Sequence, residues 1–254
     1  MTHTLKENVV LSLLVAYRGR PLHLKCLMEW FNVTCSINPG IELVIMEDSP
    51  EPSITTDPGK NIKYFHIDGG ENFNKARLLN IGFNNSSGKL ISSYDVDLVP
   101  ADLSFRQHLA MAGKSPDLLI SGYRLNYKKE YMHIEEIDNA KYSAAIDIGD
   151  CTESFLRRQL IDGHRFAVIP LFSRERIEQI GAWDERFEGW GSEDMDFLDR
   201  YLGRNIFQVR APDLLYMHLN HGAAQGWNDP ALTQRNDSLY FAKRELRKMA
   251  NYSE

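Results

Sequence analysis

Short apolar runs alternate with stretches of helical periodicity through the first half of this chain. Val9 to Ala16, Ile41 to Met46, Ile62 to Ile67, Leu90 to Tyr94, Leu118 to Tyr123 and Phe166 to Phe172 are bounded by Gly, Pro, Asn or Asp and read as strands. Between the first two, Leu24, Leu27, Met28 and Phe31 recur at helical spacing behind Pro21, which suits a first helical position. A helix crossing between strands predicts a βαβ unit. A second helix is expected from Asn74 as cap through KARLLNIGF, with Leu78, Leu79 and Phe83 inward, before NNSSGK breaks it.

The second half is less regular. Residues 124 to 165 are polar, aromatic-rich and weakly periodic, and are expected to form a long connection or an insertion over the sheet edge. Ser173 to Ile180 reads as a helix stopped by Gly181. In the next helix Ser192 is the expected cap, with Glu193, Asp194 and Asp196 in the first turn, an apolar stripe of Phe197, Leu198, Tyr201 and Leu202, and a stop at Gly203. Leu214 to Met217 is a strand end. Near the carboxyl terminus Leu239, Ala242, Leu246 and Met249 form one helical face opposite Lys243, Arg244, Arg247 and Lys248. That basic face is expected to be solvated, with peripheral contact to an anionic membrane surface as the alternative. The pattern predicts an α/β protein of a single domain, residues 1–254.

With 43% hydrophobic and 25% charged residues, the 254-residue chain can bury a full core. Its 29 Lys and Arg against 35 Asp and Glu give a net charge of −6, which repels a phosphodiester backbone and argues against nucleic-acid binding. The apolar run VVLSLLVA falls far short of the roughly 20 residues that span a bilayer. Cys26, Cys35 and Cys151 are unclustered, so neither a disulfide framework nor a structural zinc site is expected, and a reducing, cytoplasmic setting fits.

Candidate chemistry gathers in a few places. Asp95-Val96-Asp97 follows an apolar run, where carboxylates emerge at the carboxyl end of a strand; strand alternation would point both aspartates to one side, fit to hold Mn²⁺ or Mg²⁺. His218 and His221 follow another strand end, and mixed carboxylate and imidazole ligation suits Mn²⁺ better than Mg²⁺. Gly189-Trp190-Gly191 sets an indole between two glycines beside Glu193 and Asp194, a surface on which a sugar ring can stack. Arg18 and Arg20 follow the first strand and Lys75 opens the second helix, positions from which cations can meet phosphate or a uracil carbonyl. No GxxxxGK[ST], GxGxxG or G-x-S-x-G is present, which argues against those nucleotide loops and against a serine nucleophile.

From Ala16 to Gly222 the motifs AYRGRPLHLK, FNKARLLNIGF, SSYDVDLVP and FEGWGSEDMDF, followed by YMHLNHG, occur in one order. In that order they resemble the β-1,4-galactosyltransferases. The resemblance implies a GT-A (Rossmann-like) nucleotide-sugar-binding fold with a mixed central sheet flanked by helices, and a Mn²⁺-dependent transfer of Gal or GalNAc from a UDP-sugar to a sugar hydroxyl with inversion. Residue by residue, it implies that Arg18, Arg20, Phe73 and Lys75 contact UDP, that Asp95 and Val96 lie against the nucleotide, and that Asp97, His218 and His221 bind the metal. Trp190 would cover the sugar, Glu193 would hold the acceptor and Asp194 would be the base. Ala16 and Gly19 stand where that family prefers Pro and Asn, Lys75 replaces an Arg, Ser192 a Gly, and Met195 interrupts an acidic run, which leaves donor and acceptor choice open. Eukaryotic relatives carry a membrane anchor, so the resemblance points to a bacterial enzyme acting in the cytoplasm or at the cytoplasmic membrane face. FEGWGSED is also similar to polypeptide N-acetylgalactosaminyltransferases and chondroitin-type polymerases. A retaining enzyme and a silent UDP-sugar or glycan-binding domain remain the alternatives.

Overall fold

The computed structural model describes residues 9–37, 40–101, 104–147, 167–203, 205–222 and 229–252. Its first half is β1 (Leu11–Tyr17), α1 (Pro21–Ile37), β2 (Ile41–Asp48), β3 (Ile62–Ile67), α2 (Lys75–Asn85), β4 (Leu90–Ser93) and β5 (Leu98–Pro100). There follow α3 (Ser104–Lys114), β6 (Leu118–Tyr127), α4 (Ile134–Ile137), β7 (Ile146–Asp147), β8 (Phe172–Ser173), α5 (Arg174–Ile180), α6 (Glu193–Leu202), β9 (Phe207–Leu219) and α7 (Pro230–Tyr252).

The main sheet has the order β3-β2-β1-β4-β8, parallel except for β8. Strand alternation divides its core. Leu11, Leu13, Val15 and Tyr17 of β1 pack with Leu24, Leu27 and Phe31 of α1, while Leu14, with Val44 and Met46 of β2, packs with Ala76, Leu79 and Phe83 beneath α2. Both faces are thereby covered, as a parallel sheet requires. Asn74 caps α2, its side chain accepting from the Arg77 amide at 2.9 Å.

A second sheet, β5-β9-β6-β7, begins where the chain leaves the first. β5 pairs antiparallel with β9 in the register Leu98↔His218, and the Leu219 amide donates to the Asp97 carbonyl at 2.8 Å. This pairing carries the two histidines, more than a hundred residues downstream, to the aspartate that ends the first sheet.

Several expectations are corrected. The segment read as a connection from residue 124 begins inside β6, which runs to Tyr127 and pairs in parallel with β9; residues 148–166 lie outside the described ones. β9 itself is far longer than Leu214 to Met217, because its outer half alternates exposed and half-buried residues on a partly open sheet. Of the strand expected over Phe166 to Phe172, Phe172 pairs with β4 and Val168 makes a lone bridge to Gly122, while Phe166 is not among the described residues.

The carboxyl-terminal helix is turned over relative to expectation. Lys243 and Arg247 face inward, paired with fully buried Asp196 at 2.9 and 2.8 Å, and Lys243 also reaches Asp184 at 2.5 Å. Leu246 and Met249 face outward, 67% and 65% exposed. Lys243 and Arg247 of the basic face are therefore engaged in the fold, while Lys248 stays exposed. No helix among the described residues is long and apolar enough to cross a membrane.

Candidate functional site

The candidate site residues collect at the carboxyl ends of the parallel strands, where backbone loops open and helix N-termini point. Arg18 and Arg20 leave β1, Asp48 closes β2, and Asp95 to Asp97 follow β4 in a turn rather than in the strand. The turn ends the strand alternation, and the two aspartates, both in the wall of one cleft, take different partners. Asp97 is buried and meets Arg20, His218 and His221, while the half-exposed Asp95 bonds Lys75 at 3.1 Å. Val96 is buried between them.

Asp97, His218 and His221 each offer one potential ligand atom, and these atoms lie within 4.8 Å of one another. His221 Nε2 stands 3.3 Å and His218 Nε2 3.8 Å from Asp97 Oδ2. Burial lowers the His218 imidazole below its usual value, against the pull of Asp97, and a neutral ring is the form that ligates a metal. His218 Nδ1 lies 3.3 Å from Asn126 Oδ1, which can accept the other ring proton, the usual orienting partner of a metal-bound imidazole. One carboxylate with two imidazoles fits a first-row divalent ion such as Mn²⁺. Arg20 supplies the cation that meets Asp97 here, its guanidinium also 3.4 Å from His221 Nδ1.

The second constellation sits at the start of α6. Phe197, Leu198, Tyr201 and Leu202 anchor this helix in the core, with Phe197 stacked on Trp183 at 4.3 Å between ring centroids, so its N-terminus opens into the cleft. Ser192 does not cap it through its side chain. It adopts φ +68°, and its hydroxyl instead donates to Asp237 of α7 at 2.5 Å. Gly189 and Gly191 take φ +72° and +110°, angles an L side chain tolerates poorly, which is what swings Trp190 into the cleft, 49% exposed. Asn236 of α7 holds this loop, donating to the Glu188 carbonyl at 2.8 Å and the Trp190 carbonyl at 3.3 Å.

Lys75 ties the two constellations together. Its ammonium lies 3.1 Å from Asp95, 3.4 Å from Asp194 and 3.8 Å from Glu193. Desolvation opposes its charge, but the carboxylates outweigh that and hold its pKa well above the usual value. Glu193 behaves oppositely: burial, then the charge of Asp194, pushes it up to about 7 even with Lys75 alongside. A carboxyl raised from about 4.5 favours the folded state while protonated, so this contribution to stability is full below about 4.5 and is lost as pH rises through about 7. Urea unfolding of wild type and Glu193→Gln is expected to show the variant gaining on wild type between about pH 5 and 8. A pH-independent difference would mean that Glu193 does not titrate in that range.

One cleft of about 810 Å³ joins these groups, with Arg20, Phe73, Asp97, Trp190, Glu193 and Asp194 in its walls, a volume at the upper end for small-molecule sites. Arg18 stands beside it, bonded to Asp48 at 2.6 Å and over the Phe73 ring at 5.4 Å. Three groups in or beside the cleft were not read from the sequence. Asp48, which lines an adjoining cavity of about 250 Å³, leaves its buried Oδ1 without a hydrogen-bond partner among the described residues, and its place at a parallel strand's carboxyl end was the available signal. Arg124 and Asp237 line the cleft itself; Arg124 was hidden in a stretch read as a connection, and Asp237 precedes the stretch read as the last helix.

Comparison with known proteins bears on this geometry. No curated protein matches the sequence. The structure of GalNAc-T7 with UDP, GalNAc and Mn²⁺ superposes with a TM-score of 0.63 at 12% identity, covering 93% of this chain and 47% of that one. S. aureus TarS, residues 1–349, superposes with a TM-score of 0.56 at 12% identity, covering 83% and 60%. The catalytic domain of Drosophila β1,4-galactosyltransferase 7, in complex with xylobiose, gives 0.48 at 18% identity, covering 83% and 71%. The chain thus spans about half of the GalNAc-T7 chain and 60% of the TarS chain. The shared fold is GT-A, a mixed α/β sheet with flanking helices. The sequence also matches the family described as Glycosyltransferase like family 2 over residues 27–227, a span that includes Asp97, Glu193, Asp194, His218 and His221. Most of the chain falls inside that match, with Arg20 and Asp237 of the cleft outside it, and the chain belongs to the glycosyltransferase family 2-like proteins.

Proposed function

We propose that this glycosyltransferase moves a hexosyl group, Gal or GalNAc, from a UDP-sugar to a sugar hydroxyl in a Mn²⁺-dependent, inverting reaction of the β-1,4-galactosyltransferase type. One observation carries the reading: three residues that could ligate a cation, a Glu193-Asp194 pair and the exposed Trp190 indole line one cleft. Asp97, His218 and His221 would hold the ion, with Mg²⁺ as the alternative to Mn²⁺, and the ion would offset charge on the departing diphosphate. Arg18, Arg20, Phe73, Lys75, Asp95 and Val96 would bind the nucleotide. Asp48, in the adjoining cavity, whose Oδ1 has no hydrogen-bond partner among the described residues, would accept from the uracil N–H.

On the acceptor side, Trp190 would stack on a sugar ring while Glu193, near half protonation at neutral pH, accepts from or donates to its hydroxyls. Asp194 would take the hydroxyl proton as the acceptor oxygen bonds to C1 and the C1–oxygen bond to UDP breaks. That GalNAc-T7 was seen with UDP, GalNAc and Mn²⁺ supports the choice of donor class and ion. Incubation with UDP-Gal or UDP-GalNAc, Mn²⁺ and a panel of glycosides tests the reading. UDP release above the hydrolysis blank is expected, with inverted anomeric configuration by NMR. No acceptor-dependent release from either donor would refute it, and a retained configuration would overturn the role of Asp194.

A further inference from the structure

A second cavity, of about 380 Å³, adjoins the cleft on the far side of the two imidazoles. Arg124-Leu125-Asn126-Tyr127-Lys128 alternates polar and apolar side chains. Leu125 and Tyr127 pack into the core, so Arg124, Asn126 and Lys128 stand together on the other face of β6 and its continuation. Their neighbours on β9 and just beyond are His218, paired in register with Asn126, then Asn220 and His221. Asn220 is fixed by its carbonyl, which lies 3.0 Å from His23 Nε2, and by its amide, which donates to the Lys129 carbonyl at 2.9 Å.

The two cavities share Arg124, His218 and His221 but differ in their acidic groups, which in the cleft stand among Arg20 and Lys75 as well. The cleft is lined by Asp95, Asp97, Glu193, Asp194 and Asp237, whereas no carboxylate lines the second cavity among the described residues. Glu136, on the following helix, is engaged by Lys129 at 3.0 Å and Tyr127 at 3.4 Å. Lys128 is exposed and makes no ion pair among the described residues. A guanidinium fork, an amide donor and an ammonium in a row, beside a site built for a divalent cation, are complementary to a tetrahedral oxyanion.

We infer that this second cavity binds a phosphate group separate from the donor's diphosphate, through Arg124, Asn126 and Lys128. Calling it separate rests on the reading of the neighbouring cleft as the donor site. The phosphate is either a substituent of the acceptor or a free ion.

Calorimetric titration of the whole protein distinguishes these. UDP with Mn²⁺ is titrated first; methyl phosphate and inorganic phosphate are then titrated into the UDP-saturated protein. Binding of either probe alongside UDP is expected, with methyl phosphate the tighter if an acceptor phosphate is the source and inorganic phosphate if a free ion is. Lys128→Glu, a surface change that should leave folding and the UDP titration intact, is expected to weaken the probe by about tenfold or more. The inference is overturned if neither probe binds wild type, if UDP displaces both, or if Lys128→Glu binds them as wild type does. Failure of the donor reading shows separately, as absence of heat in the UDP titration. Probe binding to the metal-free protein that is lost in Lys128→Glu would still support the oxyanion site.

Discussion

Asp194→Asn is expected to lower turnover by about 10²–10⁴-fold, or roughly 3–5 kcal/mol in the barrier, while UDP affinity stays within about twofold of wild type. The reasoning starts from position. Asp194 is the second residue of α6, its side chain 47% exposed to the cleft and 3.4 Å from Lys75. Asparagine keeps that shape and loses the basicity, so only proton acceptance is removed. Lys75 keeps Asp95 and Glu193 as partners, which preserves the local geometry. The competing explanation is that a carboxylate in a first helical turn merely complements the helix dipole, which is worth about 0.3–1 kcal/mol of stability and nothing in rate. Steady-state kinetics decide between them, because turnover within about tenfold of wild type would leave Asp194 no role as base.

The second large effect concerns stability. Asp196 has no exposed surface and accepts from Arg200 at 2.9 Å, Lys243 at 2.9 Å and Arg247 at 2.8 Å. Burial works against its charge, but the bonds from Lys243 and Arg247 and the charge of Arg200 prevail and hold the carboxyl below its usual value. Asp196→Ala leaves three cations around an apolar stub and is expected to cost about 3 kcal/mol, the low end for breaking a buried ion pair. The low end applies because Lys243 retains Asp184 and Arg247 retains Asp199. The sign with pH is opposite to that of Glu193: a depressed carboxylate stabilises at and above its unfolded pKa and loses that contribution as pH falls through the folded value. Lys248→Ala, which removes an exposed pair with Glu245, is the control and is expected to change stability by less than about 0.5 kcal/mol. Equal losses in the two variants by urea unfolding would show that the cluster does not pin α7. Because Asn236 of the same helix holds the Trp190 loop, a loosened α7 is also expected to weaken acceptor use.

The elements legible in the sequence were those whose signal is local. β3 runs from Ile62 to Ile67 as its flanking residues indicate, α2 begins after its Asn74 cap, and α5 stops at Gly181 with φ +82°, where the chain needs a left-handed turn. What escaped was set by long-range partners. Nothing local shows that Lys243 and Arg247 face inward, since their reason is Asp196, on another helix. Likewise the polar alternation of Arg124 to Lys128 acquires meaning only beside His218, to which strand pairing brings it. In the site, the residue types and their order were readable, but not that Asp95 and Asp97 part company or that Lys75 lies among three carboxylates. The first follows from a turn that ends strand periodicity one residue early, after Ser93 rather than Tyr94, and the second from α6 bringing Glu193 and Asp194 to Lys75 beside Asp95.

The proposed function depends on a cation that Asp97, His218 and His221 would hold against a diphosphate. Isothermal titration of UDP into wild type and Asp97→Ala, each with Mn²⁺ and with EDTA, addresses this most directly. Wild type is expected to bind UDP more tightly with Mn²⁺ than with EDTA by more than about tenfold, and the variant to bind equally weakly in both. Metal-independent UDP binding by wild type, or full metal dependence in Asp97→Ala, would contradict the cation site.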